Sequence, residues 1–219
     1  MTSEGRARGI MGRNMFGIED SINHLKVEPR RQELTALADI PFTEATLEQC
    51  RGETHVLVAV FERSILDIFS SVPSKTPDGR YLFYGNQGWR DEEFFVNRGN
   101  AGWWLIRKTP IPNSMNGTWQ EQRGFVGANE EIPGARVMTY AIIGHYLATG
   151  ERLIERAEVR CSDTAGFNGN HVIVGCGVGG LRIDEITDTR HHPALGIASV
   201  RRPDQSSNPR LSEPNTASE

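Results

Sequence analysis

The feature that most constrains the fold is a helical segment whose apolar side chains surround nearly its whole circumference. It covers residues 133–149, where Pro133 suits a first-turn position and Gly150 suits a C-terminal stop. Its apolar residues are Val137, Met138, Tyr140, Ala141, Ile142, Ile143, Tyr146 and Leu147. A helix of this kind is buried on most sides, so other elements must enclose it. His145, which lies within it, is therefore interpreted as a core histidine.

Runs typical of strands occur on both sides of this helix along the chain. Residues 55–61 are continuously apolar and predict a buried strand, preceded by a short helix within 41–50 that Thr43 or Thr46 caps. Further predicted strands are 81–84, 103–108, the hairpin of 157–161 with 171–174, and 195–201. Together they predict an α+β domain with a mixed antiparallel sheet and a buried helix.

Length and composition favour one globular domain. A chain of 219 residues, 37% hydrophobic and 24% charged, has enough apolar material for a core. Residues 31–202 are predicted to form the domain, and residues 203–219, poor in apolar side chains, a disordered tail. Residues 1–30 are interpreted as an N-terminal arm that packs on the domain or on a neighbouring subunit, the second case giving a homo-oligomer.

Charge and cysteine usage exclude several classes of protein. The formal net charge of −4 argues against a nucleic-acid partner held through general positive charge. No apolar run approaches the roughly 20 residues that span a bilayer. The N-terminus lacks the apolar core of a signal peptide, so a cytoplasmic protein is the default expectation. The odd set of Cys50, Cys161 and Cys176 favours reduced thiols over a disulfide framework.

Three motifs resemble ligand sites, but their context argues against each. Residues 175–180 match the dinucleotide pattern G-x-G-x-x-G, yet residues 181–184 alternate like a strand where that motif needs a helix. Adjacent His191 and His192 would point to opposite sides of an extended chain, which disfavours a shared metal ion. Residues 163–170 hold one carboxylate, where calcium sites use several. No cofactor and no metal are therefore expected.

The order of elements in the second half resembles a known family. A proline-initiated buried helix (IPGARVMTYAIIGHYLATGERL) precedes a hairpin (AEVRCSD and NHVIVG), a glycine-rich passage, an irregular polar segment and a final LGIAS strand. Over about residues 130–202 this order resembles the C-terminal half of the C-type-lectin fold, in particular the variable proteins of diversity-generating retroelements. In that family a reverse transcriptase rewrites a segment near the C-terminus, and the fold displays the altered side chains as a binding surface.

The resemblance implies that residues 171–201 form a display segment. The displayed side chains would be Cys176, Gly177, Arg182, Asp184, Glu185, Ile186, Thr189, His191, His192, Pro193 and Ala194. The scaffold beneath them would be Val174, Leu181, Ile183, Leu195, Gly196 and Ile197.

The chain departs from that family at several points. Alternation along the strand places Glu185 on the side opposite Arg182 and Asp184. Thr187 stands where related proteins often have a tryptophan. The carbohydrate-binding branch of the fold uses Glu-Pro-Asn with Trp-Asn-Asp, and here Glu213-Pro214-Asn215 has no such partner. Neither sugar nor calcium binding is predicted.

These observations favour a ligand-binding display protein that is not an enzyme, whose partner is a protein or another macromolecule. A first alternative is a structural or assembly subunit, such as a component of a phage particle, in which the N-terminal arm makes the oligomer contacts. A second alternative is an enzyme with a site built from Asp91, Trp103, Trp104 and His145. No serine or cysteine has a sequence context that marks it as a nucleophile.

Overall fold

The computed structural model describes residues 1–52, 54–76, 79–85, 89, 91–166, 169–177 and 179–204. The helices are α1 (Glu4–Met11), α2 (Ile18–Leu25), α3 (Arg31–Ala36), α4 (Glu44–Cys50), α5 (Ile65–Ser71), α6 (Glu93–Val96), α7 (Trp119–Arg123) and α8 (Ala135–Thr149). The strands are β1 (Met15–Phe16), β2 (His55–Val60), β3 (Gly102–Arg107), β4 (Glu130–Glu131), β5 (Glu158–Ala165), β6 (Asn170–Gly177), β7 (Gly180–Ile186), β8 (Leu195–Ile197) and β9 (Val200–Arg201).

The strands form two mixed sheets, and a mixed α+β architecture is confirmed. One sheet has the order β1-β2-β3-β9-β4 and the other β7-β6-β5-β8. Residues 195–201, predicted as one strand, are divided between them. β8 pairs parallel with β5, whereas β9 pairs antiparallel with β3 and β4. The chain therefore crosses from one sheet to the other at Ala198 and Ser199, which ties the two sheets together.

Helix α8 lies in the core between these layers. It begins after Gly134 and ends at Gly150, whose φ of 75° is the left-handed conformation that glycine adopts without steric cost. Every residue from Val137 to His145 is buried, and Tyr140 and His145 are fully buried. Among the described residues, no helix combines the length and apolar character needed to cross a bilayer.

The first thirty residues pack on their own domain. Phe16 of β1 is fully buried, and its ring lies edge-on to Tyr140 of α8, with centroids 6.3 Å apart. β1 adds a parallel strand to β2. The same segment contributes Ala7, Met11, Met15, Leu25 and Val27 to the core. It is therefore continuous with the domain predicted to begin at residue 31.

The chain after β9 still contacts the domain. The Asp204 carboxylate accepts hydrogen bonds from the Thr43 backbone N–H at 2.7 Å and from the Thr46 hydroxyl at 3.0 Å. These bonds join residue 204 to the beginning of α4, where Thr43 is the N-cap. The predicted tail began at residue 203; its residues 205–219 lie outside the described residues.

Candidate functional site

The four-stranded sheet has two faces of different character. The inner face packs in the core with α8 and carries Val159, Cys161, Val172, Val174, Leu181 and Ile183. The outer face carries the alternate residues, because side chains alternate along each strand. There Gly175 lies opposite Arg182, and Ile173 lies opposite Asp184. The predicted orientation of Arg182 and Asp184, opposite to Ile183, agrees with this arrangement.

Two irregular segments cover the β8 half of the outer face. Residues 111–122 run along β8, where the Ile111 N–H donates to the Ile197 carbonyl at 3.1 Å and the Asn116 N–H donates to the Leu195 carbonyl at 2.9 Å. Residues 187–194, here termed the anchored loop, connect β7 to β8. The β7 half stays open as a groove of about 1380 Å³ whose floor includes Ile173, Gly175 and Gly177.

A buried arginine holds the anchored loop in place. Arg160 of β5 is fully buried, and its Nη2 donates to the carbonyl oxygens of Thr187 at 3.2 Å and Arg190 at 2.9 Å. Its Nη1 donates to the Gly117 carbonyl at 2.8 Å and to Gln122 Oε1 at 2.6 Å. One guanidinium therefore fixes both covering segments, through three main-chain oxygens and one side-chain amide.

The positive charge of Arg160 is stabilised mainly by the dipoles of backbone carbonyl groups and of one side-chain amide. Among the described residues no carboxylate lies within ion-pairing distance of it. Burial lowers the pKa of Arg160, and the negative charge of Asp188 opposes that effect. A buried cation without its hydrogen-bond partners would cost several kcal/mol. The covering segments and Arg160 therefore stabilise one another.

Other bonds of the anchored loop are also made by its main chain. The Trp119 N–H donates to the Asp188 carbonyl at 2.8 Å, and the Arg190 N–H donates to the Thr187 carbonyl at 2.9 Å. The loop ends in a similar bond from the Leu195 N–H to the His192 carbonyl at 2.9 Å. These main-chain bonds do not depend on which side chains the loop carries.

Two side chains of the loop do contact the rest of the structure, namely Asp188 and His191, whose Nδ1 lies 2.7 Å from the Asn116 carbonyl oxygen. Asp188 Oδ1 lies 2.7 Å from His171 Nδ1 at the beginning of β6. The His171 ring stacks on Trp119, with centroids 3.5 Å apart and planes 23° apart. Asp188 was absent from the predicted display set, and the sequence contained no signal that would pair these three residues across the fold.

The predicted display residues differ in exposure. Gly177, Arg182, Thr189, His191 and Pro193 are exposed, whereas Asp184, Glu185, Ile186, His192 and Ala194 are half-buried. Cys176 borders the groove, but its side chain is only 8% exposed, because it belongs to the core with Val172 and Val174 on the face of β6 toward α8. Burial raises the pKa of the Cys176 thiol to about 11, so it remains protonated near neutral pH.

Ion pairs organise the acidic residues of the groove. Arg182 donates to Glu158 Oε1 at 3.0 Å and also contacts the Asp184 carboxylate. Glu185 follows the opposite parity, as predicted from alternation, and its carboxylate lies close to Gly166 in the turn after β5. The two carboxylates that share the outer face are therefore both held by one arginine.

Two residues of the enzyme alternative, Trp103 and His145, have separate partners. The Trp103 indole N–H donates to the Leu37 carbonyl at 3.0 Å, and the ring of fully buried His145 lies 3.4 Å from Glu151. Asp91 is exposed. Burial lowers the pKa of His145. In the part of the chain that the structure describes, no group of three or more histidine, cysteine or acidic residues can hold a metal ion.

Fold and site together define a mixed α+β domain with an open groove beside a loop held through its backbone. No family model, no curated protein and no solved structure matches the chain. In the segment that matches the G-x-G-x-x-G pattern, residues 175–177 end β6 and residue 180 begins β7. Residue 178 lies outside the described residues.

Proposed function

We propose that this protein is a ligand-binding protein that presents the anchored loop and the adjoining groove to a protein or another macromolecule. The observation that carries the proposal is the main-chain anchorage of the loop by buried Arg160. Thr189, His191 and Pro193 are exposed on a backbone held in this way, and the His191 ring also contacts the Asn116 carbonyl. A surface of this kind can change its side chains without loss of the fold.

Order in the loop also favours binding. A segment whose backbone is already fixed loses less conformational entropy when a partner docks, so more of the contact energy contributes to affinity. The groove beside it adds concave surface that a flat loop lacks. Binding sites commonly combine these two properties, a rigid support and exposed polar groups that vary in chemistry.

The proposal is tested by randomising Thr189, Arg190, His191 and Pro193 together in a phage-displayed library. We expect most library members to fold, because surface substitutions usually change stability by less than ~0.5 kcal/mol. Selection against one purified protein, for instance streptavidin, should enrich binders. Circular dichroism melting of randomly chosen clones measures tolerance, and the enrichment ratio measures binding capacity.

A second library supplies the matched control. It randomises four exposed positions of α4, which lies away from the groove: Glu44, Ala45, Glu48 and Gln49. This library should fold equally well and enrich fewer binders. Widespread unfolding of the loop library, or equal enrichment from both libraries, would count against the proposed function.

The relationship to retroelement variable proteins is a further part of the proposal, supported by the order of elements from α8 onward. It predicts a near-copy, close to the gene, of the DNA that encodes residues 171–201. That copy should differ mainly at adenines and lie beside a reverse transcriptase gene. Its absence would remove the retroelement origin and leave the binding function to be judged by the two libraries.

A further inference from the structure

The groove carries two guanidinium groups that have no carboxylate partner in the described part of the chain. Three arginines line it, namely Arg156, Arg182 and Arg190. Arg182 is occupied by Glu158 and Asp184. Among the described residues, neither Arg156 nor Arg190 has a carboxylate within 4.0 Å, although the whole chain carries a formal charge of −4. Three acids, Glu158, Asp184 and Glu185, also line the groove, so its positive charge is local to Arg156 and Arg190.

The two arginines lie on the same side of the groove. Arg156 comes two residues before β5, and the anchored loop that carries Arg190 ends where β8 begins. Because β5 and β8 run parallel with Glu158 opposite Leu195, the chain around Arg156 lies beside the end of the anchored loop. A ligand seated in the groove would meet both guanidinium groups along one wall.

The backbone that carries Arg156 is strained. Arg156 has a φ of 61° and Ile154 a φ of 53°, both in the left-handed region. This region is unusual for arginine and rarer still for a β-branched residue such as isoleucine. Strain of this kind persists where the surroundings impose it, and it is concentrated at functional sites. The exposed Arg156 side chain makes no ion pair with any residue that the structure describes.

The rest of the groove suits an extended chain. A side chain built at Gly177 would meet open space, since no atom lies within 4 Å of its Cβ position. Trp89 and Tyr84 line the β7 side, where the Trp89 indole N–H donates to the Ile183 carbonyl at 3.1 Å and Tyr84 is 57% exposed. Aromatic rings of this kind supply contact area at low entropic cost.

We propose that the groove binds an extended acidic segment of a partner protein, with carboxylates paired to Arg156 and Arg190. The proposal rests on the proposed function and names its partner chemistry. Spaced carboxylates fit better than the uniform phosphates of a nucleic acid, because Glu158 and Asp184 on the same face would repel a continuous run of negative charge.

Three variants separate the contributions of charge and space. Arg156→Gly removes a guanidinium and relieves the left-handed strain, so it should raise the melting temperature while weakening the ligand. Arg190→Ala removes the second guanidinium. Gly177→Trp fills the open end of the groove without a positive φ to oppose it. The matched control is Lys26→Gly, which also replaces a left-handed cation, at the C-cap of α2.

The experiment selects peptides from a phage-displayed library of random dodecapeptides on the full-length protein. We expect selected peptides to contain more aspartate and glutamate than the input library. Fluorescence polarisation should then show that Arg156→Gly and Arg190→Ala each weaken a selected peptide by about tenfold, in the range measured for charge pairs at interfaces. Lys26→Gly should bind as the wild type does, and a single-stranded oligothymidylate should compete poorly.

The outcomes distinguish this inference from the proposed function. Acidic peptides that lose affinity in both arginine variants and in Gly177→Trp support the acidic partner and the proposed function. Neutral or basic peptides that Gly177→Trp blocks overturn the acidic partner and leave the proposed function standing. Stronger binding of oligothymidylate overturns the peptide partner. Peptides that bind Gly177→Trp as well as the wild type, or no enrichment, count against both.

Discussion

At the scale of single residues, Arg160 contributes most to the site. It is a buried cation whose hydrogen bonds go to backbone oxygens and one amide rather than to a carboxylate. Lysine could not replace it well, because only the planar guanidinium presents several donors in fixed directions. The loop is therefore held by a residue that lies outside it, and this separation leaves the exposed loop side chains open to change.

The first prediction concerns Arg160→Met. This change removes the charge but leaves the carbonyl oxygens of Gly117, Thr187 and Arg190 without their donor. Loss of a buried hydrogen-bond partner costs ~1–3 kcal/mol for each group left unsatisfied, reduced where water can enter. We expect unfolding free energy measured in urea to fall by roughly 3 kcal/mol, and backbone hydrogen exchange of residues 187–194 to accelerate.

Two comparisons make that test specific. Thr189→Ala, in the same loop, should change the unfolding free energy by less than ~0.5 kcal/mol because its side chain is exposed. Arg160→Lys should fall between the wild type and Arg160→Met. If Arg160→Met exchanged its loop amides at the wild-type rate, Arg160 would have no anchoring role.

At the scale of elements, the sequence predicted two of the eight described helices, α4 and α8, and most of the longer strands, β2, β3, β5 and β6, near their observed positions. The prediction of a strand at residues 81–84 was wrong, because this segment makes only isolated bridges at Tyr81 and Phe83. The apolar circumference of α8 and the glycine at its end locate it to within two residues. The division of residues 195–201 between β8 and β9 could not be predicted, because both pieces read as one apolar run. Which sheet each piece joins depends on tertiary pairing, which local pattern does not encode.

The candidate site was predictable only in part. Strict alternation correctly placed Arg182 and Asp184 opposite Ile183 on β7. The same rule would have placed Cys176 in the core, had β6 been extended through the glycines to its observed end at Gly177. Arg160 was missed, because alternation in AEVRC identifies its face but does not reveal that two distant segments cover it.

A second prediction tests the contact between α8 and the N-terminal segment. Gly144→Ala should destabilise the protein, although alanine favours helices, because its Cβ would lie 2.6 Å from the buried Phe16 ring. Overpacking of this kind typically costs ~1–3 kcal/mol. Gly9→Ala, in α1 with open space around its Cβ, should instead stabilise by about 0.5–1 kcal/mol. Urea unfolding of both variants measures the difference, and equal shifts would exclude close packing at Gly144.

At the scale of the whole molecule, the N-terminal thirty residues are part of the core rather than an appendage. A chain beginning at Arg31 would lose β1 and the buried side chains Ala7, Met11, Met15, Phe16, Leu25 and Val27. Truncating one large core side chain already costs ~2–5 kcal/mol, and a domain is stable by about 5–15 kcal/mol in total.

The third prediction follows from this comparison. The chain truncated to residues 31–219 should show no cooperative thermal transition by circular dichroism, and its near-ultraviolet signal should be lost. An arm that served only for assembly would behave differently. In that case the truncated chain would still melt cooperatively, close to the wild-type temperature, and would merely lose the concentration dependence of its melting point.

The last prediction concerns the pH dependence of stability. Burial lowers the pKa of His55 to about 4 from 6.5, and the positive charge of Arg107 adds to the effect. The folded state therefore keeps His55 neutral while the unfolded state takes up a proton as the pH falls below 6.5. Stability contributed by neutral His55 is complete above pH 6.5 and declines until about pH 4.

This loss of stability is measurable at pH values above the range in which carboxylates titrate. Between pH 7.5 and pH 5, His55 alone should lower the unfolding free energy by about 2 kcal/mol, at 1.36 kcal/mol for each pKa unit. His145, whose pKa burial also lowers, acts in the same direction. His55→Gln should therefore lose less stability over this interval than the wild type in urea denaturation. Equal losses in the two proteins would show that His55 takes up its proton as readily in the folded state as in the unfolded chain.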